Sequence, residues 1–242
     1  MKFYSKIADY YKYIFPLNLA QLKFIQSEID TLENAKLLDI GCAIGELSNE
    51  VSKHCKSVDA IDLDAEMIEK AKNSFESENL RFHKMNMLEI DSVFDAESFD
   101  AVFSFGNTIV HLSDENEIQI LFEKVYRVLK PNSKFLFQII NYDRILDNQI
   151  HSLPTIENEH IKFDRIYDYE ASDMKIIFKT SLEIKSENSV IESKVDLFPI
   201  RSKQIEKLLS KTGFHNIRFF SNFVKEDFKS QSTPLVVSAE KA

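Results

Sequence analysis

Through residue 140 the chain alternates short apolar runs that lack a helical period with longer stretches that have one. Lys36–Ile40 (KLLDI), Ser57–Ile61, Leu80–Met85, Phe99–Phe105 and Phe135–Ile140 read as strands. Between them, residues 45–55 carry Leu47 and Val51 four apart, and Asp64–Phe75 places Met67, Ile68 and Ala71 on one side, so both read as helices. Glu115–Leu129 has Ile118, Leu121, Phe122, Val125 and Leu129 at i, i+3, i+4, i+7 and i+11, a strong amphipathic pattern halted by Pro131-Asn132. A tyrosine-rich segment with Tyr4, Tyr10, Tyr11 and Tyr13 precedes the first strand and is expected to be helical. Strands and helices alternating in units of this length predict an α/β fold with a doubly wound, mostly parallel sheet.

The rhythm changes after the fifth strand. His160–Tyr169, Lys175–Lys185 and Val190–Leu197 are strand-like runs joined by short polar connectors, which predicts an antiparallel meander. Helical pattern returns over Arg201–Lys211 and stops at Gly213, and two last strands follow at Phe214–Ser221 and Pro234–Ser238. The expected organisation is a core of residues 1–143 and 201–242, with residues 144–200 inserted as a β cap.

Composition narrows the function classes. Among 242 residues, 30 Lys and Arg stand against 39 Asp and Glu, a formal net charge of −9 that disfavours a nucleic-acid binder. No apolar run approaches the ~18–20 residues of a membrane span, and the N-terminus lacks the apolar stretch of a signal peptide. The expectation is a soluble, cytoplasmic monomer or dimer. Cys42 and Cys55 are too few for a disulfide framework or a structural zinc site, and the six histidines are scattered, so no metal is expected.

Glycine is scarce: Gly41, Gly45, Gly106 and Gly213 are the only four. Two of them lie in Leu38-Asp39-Ile40-Gly41-Cys42-Ala43-Ile44-Gly45, at the turn between the first strand and the next helix. Asp62 ends the second strand 21 residues after Gly41, near the ~20 expected of a carboxylate that binds ribose hydroxyls. The dinucleotide fingerprint would need glycines at 41, 43 and 46, where this chain has Gly41, Ala43 and Glu46. An acid at the helix start would repel a pyrophosphate, and Asp39 adds a second acid. A cofactor with a cationic centre and no phosphate, such as S-adenosylmethionine, tolerates both.

Leu37–Gly45 resembles the first motif of the class I S-adenosylmethionine-dependent methyltransferases. The resemblance continues through Ile61–Ile68, Phe82–Met87, Ser98–Val102 and Val128–Asn132, in order and spacing. It implies a Rossmann-like, seven-stranded sheet and a set of cofactor contacts. Gly41, Ala43 and Gly45 would line the methionine part through backbone groups, Asp39 would also be at the cofactor, Asp62 would hold the ribose, and Leu63, Met67, Asn86 and Met87 would surround adenine. Phe105 would also face the cofactor, and Tyr4 and Tyr11 are candidates to close over it. Phe103–Leu112 looks like the corresponding stretch of glycine N-methyltransferase and related small-molecule enzymes. On that likeness Asn107 and His111 are expected at the methyl acceptor, joined by Arg165 and Tyr167 from the cap. His111 and Tyr142 are the nearest general-base candidates.

The function expected is in-line methyl transfer to a small-molecule acceptor. Methylation of a protein or RNA, and a non-catalytic S-adenosylmethionine-binding module, are the alternatives.

Overall fold

The computed structural model describes residues 7–170 and 174–242. A one-turn helix α1 (Tyr11–Ile14) and α2 (Leu19–Glu28) lead into β1 (Lys36–Ile40), where every residue after Lys36 is buried. Then come α3 (Glu46–Ser52), β2 (Ser57–Asp62), α4 (Ala65–Phe75), β3 (Leu80–Lys84), the short α5 (Ile90–Val93) and β4 (Phe99–Ser104). Helix α6 (Glu115–Val128) leads to β5 (Leu129–Ile140), α7 (Tyr142–Asp147) and a second sheet, β6 (Ser152–Glu157), β7 (Ile161–Asp168), β8 (Ile176–Ile184) and β9 (Ser189–Leu197). The chain closes with α8 (Ser202–Thr212), β10 (Phe214–Phe220) and β11 (Pro234–Lys241).

The main sheet has seven strands in the order β10-β11-β5-β4-β1-β2-β3. The β1–β2, β2–β3, β1–β4 and β4–β5 pairings are parallel, and β11 runs antiparallel between β5 and β10. The expected Rossmann-like sheet is therefore present. Its order reverses at β1/β4, so the loops after these strands open at the crevice where such sheets bind ligands. Side-chain caps set the helix starts there: the Asp64 carboxylate accepts from the Glu66 and Met67 N–H groups, and Asp114 accepts from Glu117 N–H.

The second sheet is antiparallel with order β6-β7-β8-β9, as the meander predicts, but with one strand more than the three expected. Pro154 hid β6, because proline cannot donate to a ladder. The strand lies at the sheet edge and its register shifts between Leu153 and Ile156, where proline is tolerated. Two other expectations shift. Helix α6 ends at Val128, and Leu129 already pairs with Phe99; the β4–β5 register shifts beyond it, around Asn132 in the left-handed region (φ 60°). In the tyrosine-rich N-terminal segment, Ile7 is helical, Tyr10 lies in a turn, and Tyr11–Ile14 forms a separate helical turn that stops before Pro16.

The cap is knitted to the core rather than tethered to it. Leu153, Tyr167, Tyr169, Ile176 and Leu197 share one buried cluster with the helices and strands of the main sheet. The Tyr169 hydroxyl donates to the Ile145 carbonyl (3.0 Å) and Phe198 N–H to Val110 (2.8 Å). On the other side, Ile7, Ala8 and Ile14 pack with Phe163, Leu182 and Ile184 of the cap and with Met67 of α4. No helix among the described residues is long and apolar enough to cross a membrane.

Candidate active site

The glycine turn is built by the backbone. Gly41 and Cys42 N–H groups both donate to the Ile61 carbonyl (2.8 and 3.0 Å), which ties the end of β1 to the end of β2. Gly41 has φ +81°, and a Cβ there would stand 2.4 Å from the Thr108 side chain. The close approach at this glycine is thus, first of all, an approach of protein to protein. Ala43, at the usual middle-glycine position, takes the left-handed conformation that position demands (φ 48°). Its N–H donates to Asp62 Oδ2 (2.9 Å), while Asp64 N–H donates to Asp62 Oδ1 (2.9 Å). Both carboxylate oxygens are held in place, and each keeps a lone pair to offer. Burial raises the Asp62 pKa, opposed by these two N–H groups.

A cavity of about 80 Å3 lies along these residues. It is lined by Gly41, Ala43, Asp62, Leu63, Met67, Asn86, Met87, Phe105 and Tyr11, nine of the residues anticipated for the cofactor, and also by Gly106, Thr108 and His111. Asn86 caps the turn that follows β3, its Oδ1 accepting from Leu88 N–H (3.0 Å). That leaves its NH2 and one lone pair for a ligand. Gly45 does not line this cavity; it starts α3 with φ +82°, and a Cβ there would run into Phe82 and Ala71. Tyr4 lies outside the described residues.

A second cavity, of about 510 Å3, opens from the same turn, sharing Tyr11, Gly41, Ala43, Phe105 and Gly106 with the first. A Cβ built on Gly106 (φ +87°) meets nothing within 4 Å, so this backbone faces open space where the two cavities join. Asp39 and Glu46 line the larger cavity from the core, Phe15, Leu17 and Gln21 from the N-terminal segment, and Leu153, Arg165, Tyr167 and Phe178 from the cap. Asp39 is buried and accepts from Ser48 Oγ (2.6 Å); burial, reinforced by the Asp62 carboxylate, pushes its pKa up to about 7. Burial also raises that of Glu46.

The structure separates the anticipated acceptor residues. Arg165, Tyr167 and Asn107 line the larger cavity, but His111 lines only the smaller one. Burial lowers the His111 pKa to about 4, so its ring is neutral at pH 7. Tyr142 is buried and lines neither cavity. Its hydroxyl accepts from Asn107 Nδ2 (3.1 Å), and Asn107 Oδ1 accepts from Ile140 N–H (2.9 Å). Asn107 itself has φ 70°, so its amide is used to hold a strained turn against β5.

Sequence reasoning missed Gln138, whose Oε1 accepts from Gly106 N–H (3.0 Å), and Thr108, which fills the space under Gly41. It also missed the apolar wall of Phe15, Leu17, Leu153 and Phe178. Each of these comes from a separate segment with no motif to mark it. Among the described residues no cluster of His, Cys, Asp or Glu has metal-binding geometry.

Comparison with known proteins fits this geometry. Residues 37–132 match the family model of the methyltransferase domain. YqeM of Bacillus subtilis (strain 168) is 26% identical over 91% of this chain and 89% of its own length. The glycine/sarcosine N-methyltransferase of Aphanothece halophytica is 29% identical over 52% of this chain and 46% of its own length, so the chain spans about half of that relative. In fold, the chain is similar to an S-adenosylmethionine-dependent methyltransferase from Clostridium acetobutylicum ATCC 824, with a TM-score of 0.83, 18% identity and 99% of each chain covered. An acid-bearing glycine turn, a buried carboxylate at the end of β2 and a reversed parallel sheet suit a nucleoside cofactor. Residues 37–132 thus carry a methyltransferase domain, and the similarity of the chain to S-adenosylmethionine-dependent methyltransferases supports S-adenosylmethionine as its cofactor.

Proposed function

We propose that the enzyme methylates a small molecule held in the larger cavity, by in-line displacement at the rim formed by Gly41, Ala43, Phe105 and Gly106. The observation that carries this reading is the pairing of cavities. The smaller has the groups an adenosine needs, and the larger, at about 510 Å3, has the size of a small-molecule pocket and a roof of cap residues. A macromolecular acceptor would need an open surface at that point. A relative named for glycine and sarcosine adds support from the small-molecule side.

When bound, S-adenosylmethionine supplies a methyl group already activated on a sulfonium. The protein's part is to align and to exclude water. Asp62, oriented by the Ala43 and Asp64 N–H groups, would grip the ribose hydroxyls. Met67, Met87 and Leu63 would flank the adenine, and Asp39 and Glu46 would face the ammonium. Gly106, with no side chain at the junction, would leave the transfer path open. Phe178, Leu153 and the N-terminal Phe15 and Leu17 would keep water from it. A neutral His111 in the adenosine-side cavity and a Tyr142 engaged by Asn107 do not supply a general base at the acceptor. An acceptor that arrives deprotonated suits this site best.

The test is production of S-adenosylhomocysteine across a metabolite panel, run beside total cell protein and total RNA as acceptors. Turnover confined to small molecules is the expected result. Transfer only to the protein or RNA fraction would overturn the reading, and cofactor binding with no transfer to any of the three would indicate a binding module.

A further inference from the structure

The cap carries one charge where its pattern calls for an apolar residue. Along β7 the inward-facing positions are Ile161, Phe163, Arg165 and Tyr167, and the other three are buried hydrophobic or aromatic side chains. Arg165 sits among them, half-buried, and lines the larger cavity. Its Nη2 donates to the Pro154 carbonyl (2.6 Å), its one acceptor among the described residues. Its Nε is fully buried and has no hydrogen-bond partner. No carboxylate of the described residues pairs with it, although the chain has nine more acids than bases. A guanidinium placed this way is costly to the folded protein unless something else completes it.

The neighbours on the same face extend the polar character. The register pairs Arg165 with Thr180, and Thr180 with Ser193. Directly paired residues share a face, so a guanidinium and two hydroxyls form a row across an inner surface otherwise built from Ile176, Phe178, Leu182, Ile191 and Val195. The remaining ionisable groups on the larger cavity, Asp39 and Glu46, are acids and come from the core. The cavity thus has an acidic end at the glycine turn and a cationic one in the cap.

We infer that Arg165 is an oxyanion anchor, and that the methyl acceptor is a small molecule bearing a carboxylate or phosphate group. The inference rests on the reading of the larger cavity as the acceptor site. The planar fork of arginine matches either group in a two-bond geometry that lysine cannot reproduce. The anchored end would lie against the cap, the apolar body against Phe178, Leu153 and Phe15, and the nucleophile would point to Gly106.

The probes are benzoate and phenyl phosphate, with neutral benzamide as the shape control, titrated by calorimetry into protein saturated with S-adenosylhomocysteine. At least one anion is expected to bind the wild-type protein and to weaken about 10- to 100-fold in Arg165→Met, while benzamide is indifferent to residue 165. Arg165→Lys should recover only part of the anion affinity. Without ligand, Arg165→Met should melt at or above the wild-type temperature, since it removes a half-buried charge that no carboxylate pairs with; Arg165→Gln replaces it if the methionine variant does not fold. Binding of neither anion, equal affinity for benzamide, or an unchanged anion affinity in the variants would overturn the assignment. S-adenosylhomocysteine affinity, measured on the same samples, reports separately on the methyltransferase reading.

Discussion

The two ends of the site are built in different ways. At the smaller cavity, the proposed cofactor end, main-chain groups do the shaping: the Gly41 and Cys42 N–H groups bond to the Ile61 carbonyl, and the Ala43 and Asp64 N–H groups orient Asp62. At the larger cavity, the proposed acceptor end, side chains do it, contributed by the N-terminal segment, the β4 and β5 loops, the cap and the last loop before β11. A backbone-built site constrains sequence locally, whereas a side-chain-built site constrains it only through tertiary contact. The first kind can be shared by enzymes with different acceptors; the second is where one enzyme departs from another.

The strongest way to break this contrast is to remove the side chain that the cofactor end depends on. Asp62→Ala should lose about 3–4 kcal/mol of S-adenosylhomocysteine affinity, from two charge-assisted hydrogen bonds and the orphaned Ala43 and Asp64 donors. Calorimetry on the folded variant measures it. A loss under tenfold would mean that Asp62 only braces the turn. At the acceptor end, Leu153→Ala should leave cofactor affinity within about twofold, because that side chain lines only the larger cavity.

The difference in construction also explains what the sequence shows of the fold and the site. Asp39, Gly41, Ala43 and Asp62 lie within 24 residues at spacings that the turn geometry imposes, so they are legible without a structure. The parallel strands are legible too, because both faces are buried and the apolar runs are continuous. Strand β6 is not, since Pro154 is a strand breaker everywhere but at an edge. Nor is the role of Thr108, which matters only because the fold sets it 2.4 Å from a hypothetical Cβ at Gly41. His111 and Tyr142 follow β4 and β5 closely in sequence, yet one lines the smaller cavity and the other is buried in the core. Direction of a side chain out of an irregular loop is not encoded in local pattern.

The next effect is on pH dependence, and it places one titrating group at each cavity in opposition. Folded Asp39 has a pKa of about 7, against about 3.9 unfolded, so between these values the folded protein keeps a proton that the unfolded chain has lost. Its contribution to stability falls as pH rises through that window. Folded His111 has a pKa of about 4, against about 6.5 unfolded, so from pH 4 to 6.5 the unfolded chain holds a proton that the folded protein lacks. Its contribution rises with pH. The two slopes, each at most about 1.4 kcal/mol per pH unit, offset each other over pH 4–6.5. Relative to wild type, Asp39→Asn should therefore become less stable, and His111→Gln more stable, as pH falls from 6.5 to 4.5. The change is about 2–3 kcal/mol in each direction. Urea unfolding of ligand-free protein at several pH values reads both. Parallel curves for the variants and the wild type would show that neither group titrates as its burial implies.

Ala43 gives the smallest effect and sits where the two halves meet. It lines both cavities, and its left-handed φ of 48° is one that an L side chain adopts at a cost of about 1–2 kcal/mol. Ala43→Gly removes that strain but gives the unfolded chain more freedom, which returns about 0.4–1 kcal/mol. The net expectation is a protein more stable by up to about 1 kcal/mol in urea unfolding. The Ala43 N–H that holds Asp62 survives the change, so S-adenosylhomocysteine affinity should stay within about twofold. Acceptor turnover is free to change, because Ala43 lines both cavities. A cofactor affinity that drops with the methyl would show that the cofactor end relies on this side chain as well, and that its dependence on backbone stops one residue short of Asp62's own support.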